Sequence, residues 1–172
     1  SDLAFVPDGG VWMNTQRPEW NDANNALAGW GLSMVTACQL RRHLATIRAL
    51  HDGRSDDLRY GAATARWLSE TLAVLAGERS LLDSPTIDDT DRRRVLDALS
   101  RAFETRRGTR LGRPDTPVTP ASIVELCDVA MAWLDHAIKA NRREDGLYHG
   151  YNLLQLDAGT AGIRRLPEML RS

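Results

Sequence analysis

The fold class is decided by the stretch TPASIVELCDVAMAWLDHAIKAN, which occupies residues 119–141. Thr119 followed by Pro120 is typical of a helix N-terminus, because threonine caps the free amide groups and proline suits the first turn. Apolar side chains then recur at helical spacing, at Ile123, Leu126, Cys127, Ala130, Trp133, Leu134 and Ile138. The stretch therefore predicts one long amphipathic helix.

Three upstream segments show the same periodicity, over about residues 24–50, 57–76 and 88–107. Gly53 and Gly77 follow the first two segments and are natural helix stops. The third segment begins with aspartates and ends with arginines, which suits the helix dipole. Because four helices joined by short connections form two antiparallel hairpins, the sequence predicts an all-α fold.

Both ends of the chain lack helical periodicity. Residues 7–10, Pro-Asp-Gly-Gly, predict a turn, and residues 11–13 and 153–156 predict short β segments. The first of these has no partner in a helical pattern, and no closing element follows the apolar residues 163–170. We therefore interpret the helices as an arc of an (α/α)6 toroid. Residues 1–172 would form a single α-helical domain or a fragment of a larger α/α barrel; a complete four-helix bundle is the alternative.

Composition and charge narrow the range of partners. The net charge is -1, so no global field attracts nucleic acid or an anionic membrane. The arginine run at residues 92–94 is accompanied by four nearby aspartates, and we interpret it as a solvated, self-neutralised helix face. No apolar run reaches the ~20 residues of a membrane helix, and no signal peptide is recognisable. We therefore expect a cytoplasmic protein.

The cysteines and histidines predict neither a metal site nor a cofactor. Cys38 and Cys127 lie within apolar helical patterns, which favours two buried thiols. The four histidines form no pair at metal-binding spacing.

The first candidate for chemistry is the loop QRPEWNDANN, residues 16–25. Forked polar side chains and an indole are the groups that bind sugar hydroxyls and pyranose faces. Glycosidic-bond chemistry also needs a carboxyl group as general acid, for which Asp22 and Glu19 are the candidates. The sugar-binding candidates here are Arg17, Trp20, Asn21 and Asn24. The alternative is that Asp22 and Asn24 cap the first helix.

The second candidate is the loop NRREDGLYHGYN, residues 141–152. Its clustered arginines, carboxylates and aromatic side chains favour ligand binding, with Glu144 as a candidate catalytic carboxylate. The binding candidates are Arg143, Asp145, Tyr148, His149, Tyr151 and Asn152. The alternative is a helix C-cap followed by a tight turn at Asp145-Gly146.

The first loop carries a family resemblance. Residues 19–24, Glu-Trp-Asn-Asp-Ala-Asn, resemble the Asp-Trp-Asn-Asp-Gly-Met-Asn stretch of cellobiose phosphorylase-like enzymes, which are (α/α)6-barrel carbohydrate-active proteins. The aspartate after Trp-Asn is the general acid of that family, so the resemblance assigns this role to Asp22. Ala23 and Glu19 depart from the family pattern, and no phosphate-binding signature follows. Residues 143–152 also resemble part of large bacterial proteins of this barrel type.

Together these observations predict a glycoside hydrolase or phosphorylase-like domain that acts on or binds an oligosaccharide. Asp22 is the expected acid, and Glu19 or Glu144 is its partner. The even number of helices predicts that both loops lie at one end, with Asp22 within about 10–15 Å of Glu144, Tyr148 or His149. Apolar helix faces would be covered by the remainder of a barrel or by self-association. The alternative is a non-enzymatic helical module that binds a protein partner.

Overall fold

A computed structural model of the chain describes residues 4–12, 29–107 and 113–165. These residues include four α-helices: α1 (Met34–His51), α2 (Ala62–Gly77), α3 (Asp89–Arg107) and α4 (Pro120–Ala140). A 3-10 helix spans Arg79–Asp83. The strands are β1 (Ala4–Val6), β2 (Gly10–Trp12), β3 (Gly31–Ser33), β4 (Leu58–Tyr60), β5 (Thr116–Val118), β6 (Tyr151–Asp157) and β7 (Thr160–Arg165).

A five-stranded antiparallel sheet in the order β1-β2-β3-β6-β7 makes the fold mixed α/β. The predicted all-α class and the α/α toroid are therefore wrong. β2 has partners after all, because it pairs with β1 and β3, and β3 in turn pairs with β6 of the C-terminal β6–β7 hairpin. The junction pairs β3 with β6, with Leu32 opposite Asn152. The two non-helical ends of the sequence thus belong to one sheet.

The first long helix begins ten residues later than its predicted start at about residue 24. Ser33 is its N-cap, and the Ser33 hydroxyl accepts a hydrogen bond from the Thr36 amide at 3.0 Å. Trp30 precedes β3 and therefore does not belong to the helical stripe. The other three helices start and end within a few residues of their predicted bounds, although β4 takes the start of the second predicted segment.

The hydrophobic core joins the sheet to the helices in three clusters. The first lies between the sheet and α3 and includes Val6, Leu32, Leu154 and Leu96. The second joins β2 to α1 and α4. The third lies among α2, α3 and α4 around Trp133. The ring of Trp133 packs edge-on against that of Phe5 in β1, with 6.5 Å between the ring centroids. Each cluster contains residues that are distant in sequence, so the sheet and helices stabilise each other.

Two predicted burial patterns need correction. Cys127 is buried, which raises the pKa of its thiol, but Cys38 is exposed on α1. Within the arginine run, Arg93 and Arg94 form partly exposed ion pairs, as expected for a solvated helix face. Arg92 instead is buried, with a side chain only 6% exposed. Helical periodicity does not reveal this because the sheet that covers Arg92 was not predicted.

Among the described residues, no helix combines the length and apolar character needed to cross a membrane.

Candidate functional site

A buried polar network begins at the turn between β1 and β2. Residues 7–9 form the predicted turn, and Asp8 has a positive φ of 60°. Gly10 follows with a φ of 114°, and a Cβ atom there would lie 2.8 Å from the carbonyl oxygen of Ser33. Glycine is therefore required at position 10 by both its backbone angle and the adjacent strand. The turn directs the Asp8 carboxylate into the molecule, where its side chain is 3% exposed.

Arg92 of α3 links this turn to β7, which is the strand at the other edge of the five-stranded sheet. Its Nε donates to the carbonyl of Pro7 at 2.9 Å, and its Nη1 donates to the carbonyl of Ala161 at 2.8 Å. The same guanidinium also contacts Asp89 and the carbonyl of Ile87. Its Nη2 lies 3.6 Å from Asp8 Oδ2. One arginine thereby links β1–β2, β7 and the N-terminus of α3.

His136 of α4 holds the other oxygen of Asp8. Its Nδ1 lies 2.8 Å from Asp8 Oδ1, and its Nε2 lies 2.7 Å from the carbonyl oxygen of Ser84. Asp8 Oδ2 accepts a further hydrogen bond from the Ile87 amide at 2.7 Å. Both carboxylate oxygens are thus engaged by neighbouring groups, so Asp8 is suited to a fixed orientation rather than to proton donation.

Two fully buried asparagines extend the network to the end of α4. Asn141 donates from Nδ2 to the carbonyl of Asp8 at 2.6 Å and to that of Ala137 at 2.8 Å. Asn152 of β6 donates from Nδ2 to Asn141 Oδ1 and to the carbonyl of Gly9, both at 2.8 Å. These bonds fix β6 and the end of α4 against the same turn.

A cleft of about 310 Å³ opens in front of this network, where the first turn of α3 meets β7. Its volume lies at the lower end of the range for small-ligand sites. Three arginines, two carboxylates, a threonine, an amide and one apolar side chain line it: Asp8, Thr86, Asp89, Arg92, Gln155, Ile163, Arg164 and Arg165. The cleft presents forked hydrogen-bonding groups on a rigid wall, which is an arrangement for binding a polar ligand.

The second predicted loop forms a small hairpin beside this region. Arg142 pairs with Tyr148, and the Arg143 amide donates to the carbonyl of Leu147 at 2.8 Å. Asp145 accepts from the Leu147 amide at 3.0 Å and forms an ion pair with Arg143 at 2.6 Å. Gly146 has a φ of 81°, as the tight-turn alternative requires. The polar side chains of Arg143 and Asp145 thus shape this turn, while Glu144 and Tyr148 are exposed.

The predicted site residues fall into three groups. Arg17, Glu19, Trp20, Asn21, Asp22 and Asn24 lie outside the described residues, and so does the predicted distance from Asp22 to the second loop. Arg143, Glu144, Asp145, Tyr148, His149 and Tyr151 lie at or near the hairpin, and none of them lines the cleft described above. Asn152 is fully buried, so direct sugar contact would require this side chain to become exposed.

Sequence reasoning missed the residues of the cleft. Asp8 was assigned only to a turn and Arg92 only to a helix surface, while Gln155, Arg164 and Arg165 had no assigned role. The Pro-Asp-Gly-Gly turn was the one available signal, since it predicts a sharp reversal but not its burial. The link to the second predicted loop is Arg165, which donates to the carbonyl of Ala140 at 2.6 Å and pairs with Asn152 across the β6–β7 hairpin.

A second cleft of about 430 Å³ lies at the opposite end of the α1–α4 pair, between the end of α1 and the start of α4. His51 lines it and contacts the carbonyl oxygen of Ile47 through Nδ1 at 2.7 Å, a capping contact within the last turn of α1. The other polar residues that line this cleft are mainly exposed charged side chains, so it is the weaker candidate for a ligand-binding site. Nowhere in the described ranges do three His, Cys, Asp or Glu side chains come together as a metal site.

No model of a known protein family matches the chain, and no protein of curated function is significantly similar to it in sequence.

Proposed function

We propose that this domain is carbohydrate-active and binds an oligosaccharide at the cleft between α3 and β7. The observation that carries the proposal is the lining of the cleft, where Asp89, Gln155 and Arg164 offer forked donors and acceptors. Vicinal sugar hydroxyls both donate and accept hydrogen bonds and therefore match such groups. The buried network behind the cleft lowers the cost of ordering this wall when a ligand binds.

The proposed chemistry is hydrolysis or phosphorolysis of a glycosidic bond, with Asp22 as the general acid and Glu19 as its partner; Glu144, the other candidate partner, does not line the cleft. This part rests on the residue types of the two loops and on the short resemblance at residues 19–24. The barrel fold that the resemblance implied is not part of the proposal. We also propose a cytoplasmic location, which recovery of the protein in a secreted or periplasmic fraction would contradict.

Calorimetric titration with cellotetraose and with maltotetraose tests the binding site. Gln155→Ala should weaken binding of whichever glucan is recognised, since Gln155 is an exposed side chain that lines the cleft. Gln39→Ala is the matched control, because Gln39 is an exposed glutamine on α1 away from the cleft. Equal affinity of both variants and the parent would place any sugar site elsewhere, and absence of binding to a wider glycan panel would contradict the proposal.

The catalytic assignment needs a separate measurement. Once a cleaved glycan is identified, Asp22→Asn should lower the rate by about 100- to 10,000-fold, the usual contribution of a general acid. Glycan affinity should change little, because asparagine keeps the shape and hydrogen-bonding capacity of the side chain. Full activity of this variant would remove Asp22 from the catalytic role.

A non-enzymatic module that binds a protein partner is the second candidate. The exposed side chains of Leu147 and Tyr148, which are 62% and 53% exposed at the tip of the hairpin, favour it. Sedimentation analysis of a Leu147→Ser, Tyr148→Ser variant distinguishes the two functions. If the parent self-associates and this variant does not, and neither responds to any glycan, the interaction module is favoured.

A further inference from the structure

We infer that His136 is a positioning residue for the cleft, because it holds a proton against Asp8 and thereby fixes a carboxylate of the cleft wall. The consequence for ligand binding rests on the proposed function. The protonated bridge itself follows from contacts within the fold and is tested independently of any ligand.

The two oxygen atoms that face the His136 ring define its protonation. The carbonyl oxygen of Ser84 only accepts hydrogen bonds, so the 2.7 Å contact requires a proton on Nε2. A neutral ring protonated there has a lone pair on Nδ1, which would face Asp8 Oδ1 at 2.8 Å. If Asp8 is ionised, that contact brings two lone pairs together. One additional proton between Nδ1 and Oδ1 turns the repulsion into a hydrogen bond.

The groups around the Asp8 carboxylate donate hydrogen bonds to it or carry positive charge. From α3, the guanidinium of Arg92 lies 3.6 Å from Asp8 Oδ2 and also contacts Asp89. From the segment before α3, the Ile87 amide donates to the same Asp8 oxygen at 2.7 Å. On α4 itself, the neighbouring Asp135 is paired with Arg41 of α1. Asp8 thus faces donors on every side that the structure describes.

The bridge spans three segments that meet behind the cleft: the β1–β2 turn, the segment around Ser84 and α4. The side chain of His136 is 10% exposed and that of Asp8 is 3% exposed, so water competes little for the contact between them, while the contact to Ser84 lies at the surface. Loss of the proton would break the contact to Asp8 and loosen the turn that presents it. Binding of a ligand that touches this wall should therefore weaken when His136 is replaced by a side chain that cannot bridge the two oxygen atoms.

Long-range proton–nitrogen NMR of the histidine rings tests the bridge directly. In the parent protein both nitrogens of His136 should carry protons, whereas in Asp8→Asn, measured at the same pH, Nδ1 should be bare, because an asparagine amide can donate to it. Asparagine also tolerates the positive φ at this position. His136→Gln identifies the signals, and Asp135→Asn is the matched control, since that carboxylate is adjacent in sequence but paired with Arg41. The same protonation of the His136 ring in the parent and in Asp8→Asn would overturn the inference.

If Asp8→Asn does not fold, NMR of the parent protein alone tests the bridge. At about pH 6, near the ordinary titration range of histidine, the Nδ1 proton of His136 should be visible and slow to exchange; a bare Nδ1 there overturns the inference. In calorimetric titrations with cellotetraose, His136→Gln should weaken binding about tenfold, the scale of one charge-assisted hydrogen bond. A protonated bridge without any glycan binding would reject the proposed function and retain the bridge, whereas glycan binding that His136→Gln leaves unchanged would reject the positioning role.

Discussion

Among the arginine–aspartate pairs that join distant elements of this protein, two differ mainly in their access to water. Arg92 and Asp8 join α3 to the β1–β2 turn with side chains that are 6% and 3% exposed. Arg41 and Asp135 join α1 to α4 with side chains that are 40% and 51% exposed. The buried pair lies in a network of directed hydrogen bonds, while water and salt compete with the exposed pair. The same chemical groups should therefore contribute very differently to stability.

The largest expected effect is at Arg92. Arg92→Met leaves the buried Asp8 carboxylate without its guanidinium partner and should lower the free energy of unfolding by about 3–5 kcal/mol. Arg93→Met is the matched control, because the adjacent Arg93 forms a partly exposed pair with Asp97, and it should cost less than about 1 kcal/mol. Urea denaturation of both variants checks the difference. Similar decreases in the free energy of unfolding for the two variants would mean that burial does not determine how much such a pair contributes to stability.

A smaller effect is expected at the two asparagines. Asn141→Leu removes the donor to Asp8 and the acceptor of Asn152, and should cost about 1–3 kcal/mol for the buried groups left unpaired. Asn152→Leu should behave similarly. Because the side chains bond to each other, the double variant should cost less than the sum of the single variants. Strict additivity in urea denaturation would show that the two residues act separately.

The exposed pair should contribute least among these contacts. Asp135→Asn removes the ionic contact to Arg41, and we expect the free energy of unfolding to fall by less than about 1 kcal/mol. The difference between variant and parent should shrink as sodium chloride is added, because salt screens exposed charges. A larger loss that does not respond to salt would contradict the contrast drawn between the buried and exposed pairs.

Asp88 is an exposed carboxylate outside the buried network, and its contribution to stability should depend on pH. Backbone hydrogen bonds from Asp91 and Thr90 lower the pKa of Asp88. A lowered pKa in the folded state stabilises the fold above the unfolded value, near pH 3.9, and this contribution is lost as the pH falls through the folded value. Asp88→Asn should therefore be less stable than the parent at neutral pH and converge with it in acid. A difference that stays constant with pH in thermal unfolding would contradict this.

The helices were predictable because their signals are local. In α4, the Thr119 cap, Pro120 and a long apolar stripe all indicate the same element. The strands β1, β2 and β3 have only three residues each, too few for an alternating pattern to be recognised. Trp30 also stands four residues before Met34, which mimics helical spacing and extended the predicted helix into β3. The sheet as a whole was missed because the pairing that unites it, β3 with β6, joins residues 31–33 to residues 151–153.

The site was less predictable than the fold for a related reason. Asp8 lies 128 positions before His136 and farther still from Asn152, and the five-stranded sheet and α4 bring the three residues together. Their residue types in isolation resemble a turn, a helix surface and a loop. The second predicted loop was recognised as unusual for its polar and aromatic residues. Its residue in the buried network, Asn152, forms hydrogen bonds inside the protein and not with a ligand at the surface. Chemistry at residues 17–24 stays a prediction that the described residues do not test.

The pairing of β3 with β6 also has a consequence for how this protein is made. Gly9 and Asn152, which are hydrogen-bonded in the finished structure, are 143 positions apart. A ribosome therefore releases the first three strands long before their partner hairpin exists, and the unpaired edge of β3 is open to other chains in that interval. Chains that terminate before residue 151 should accumulate as aggregates, whereas a separately supplied β6–β7 peptide should restore their solubility by completing the sheet.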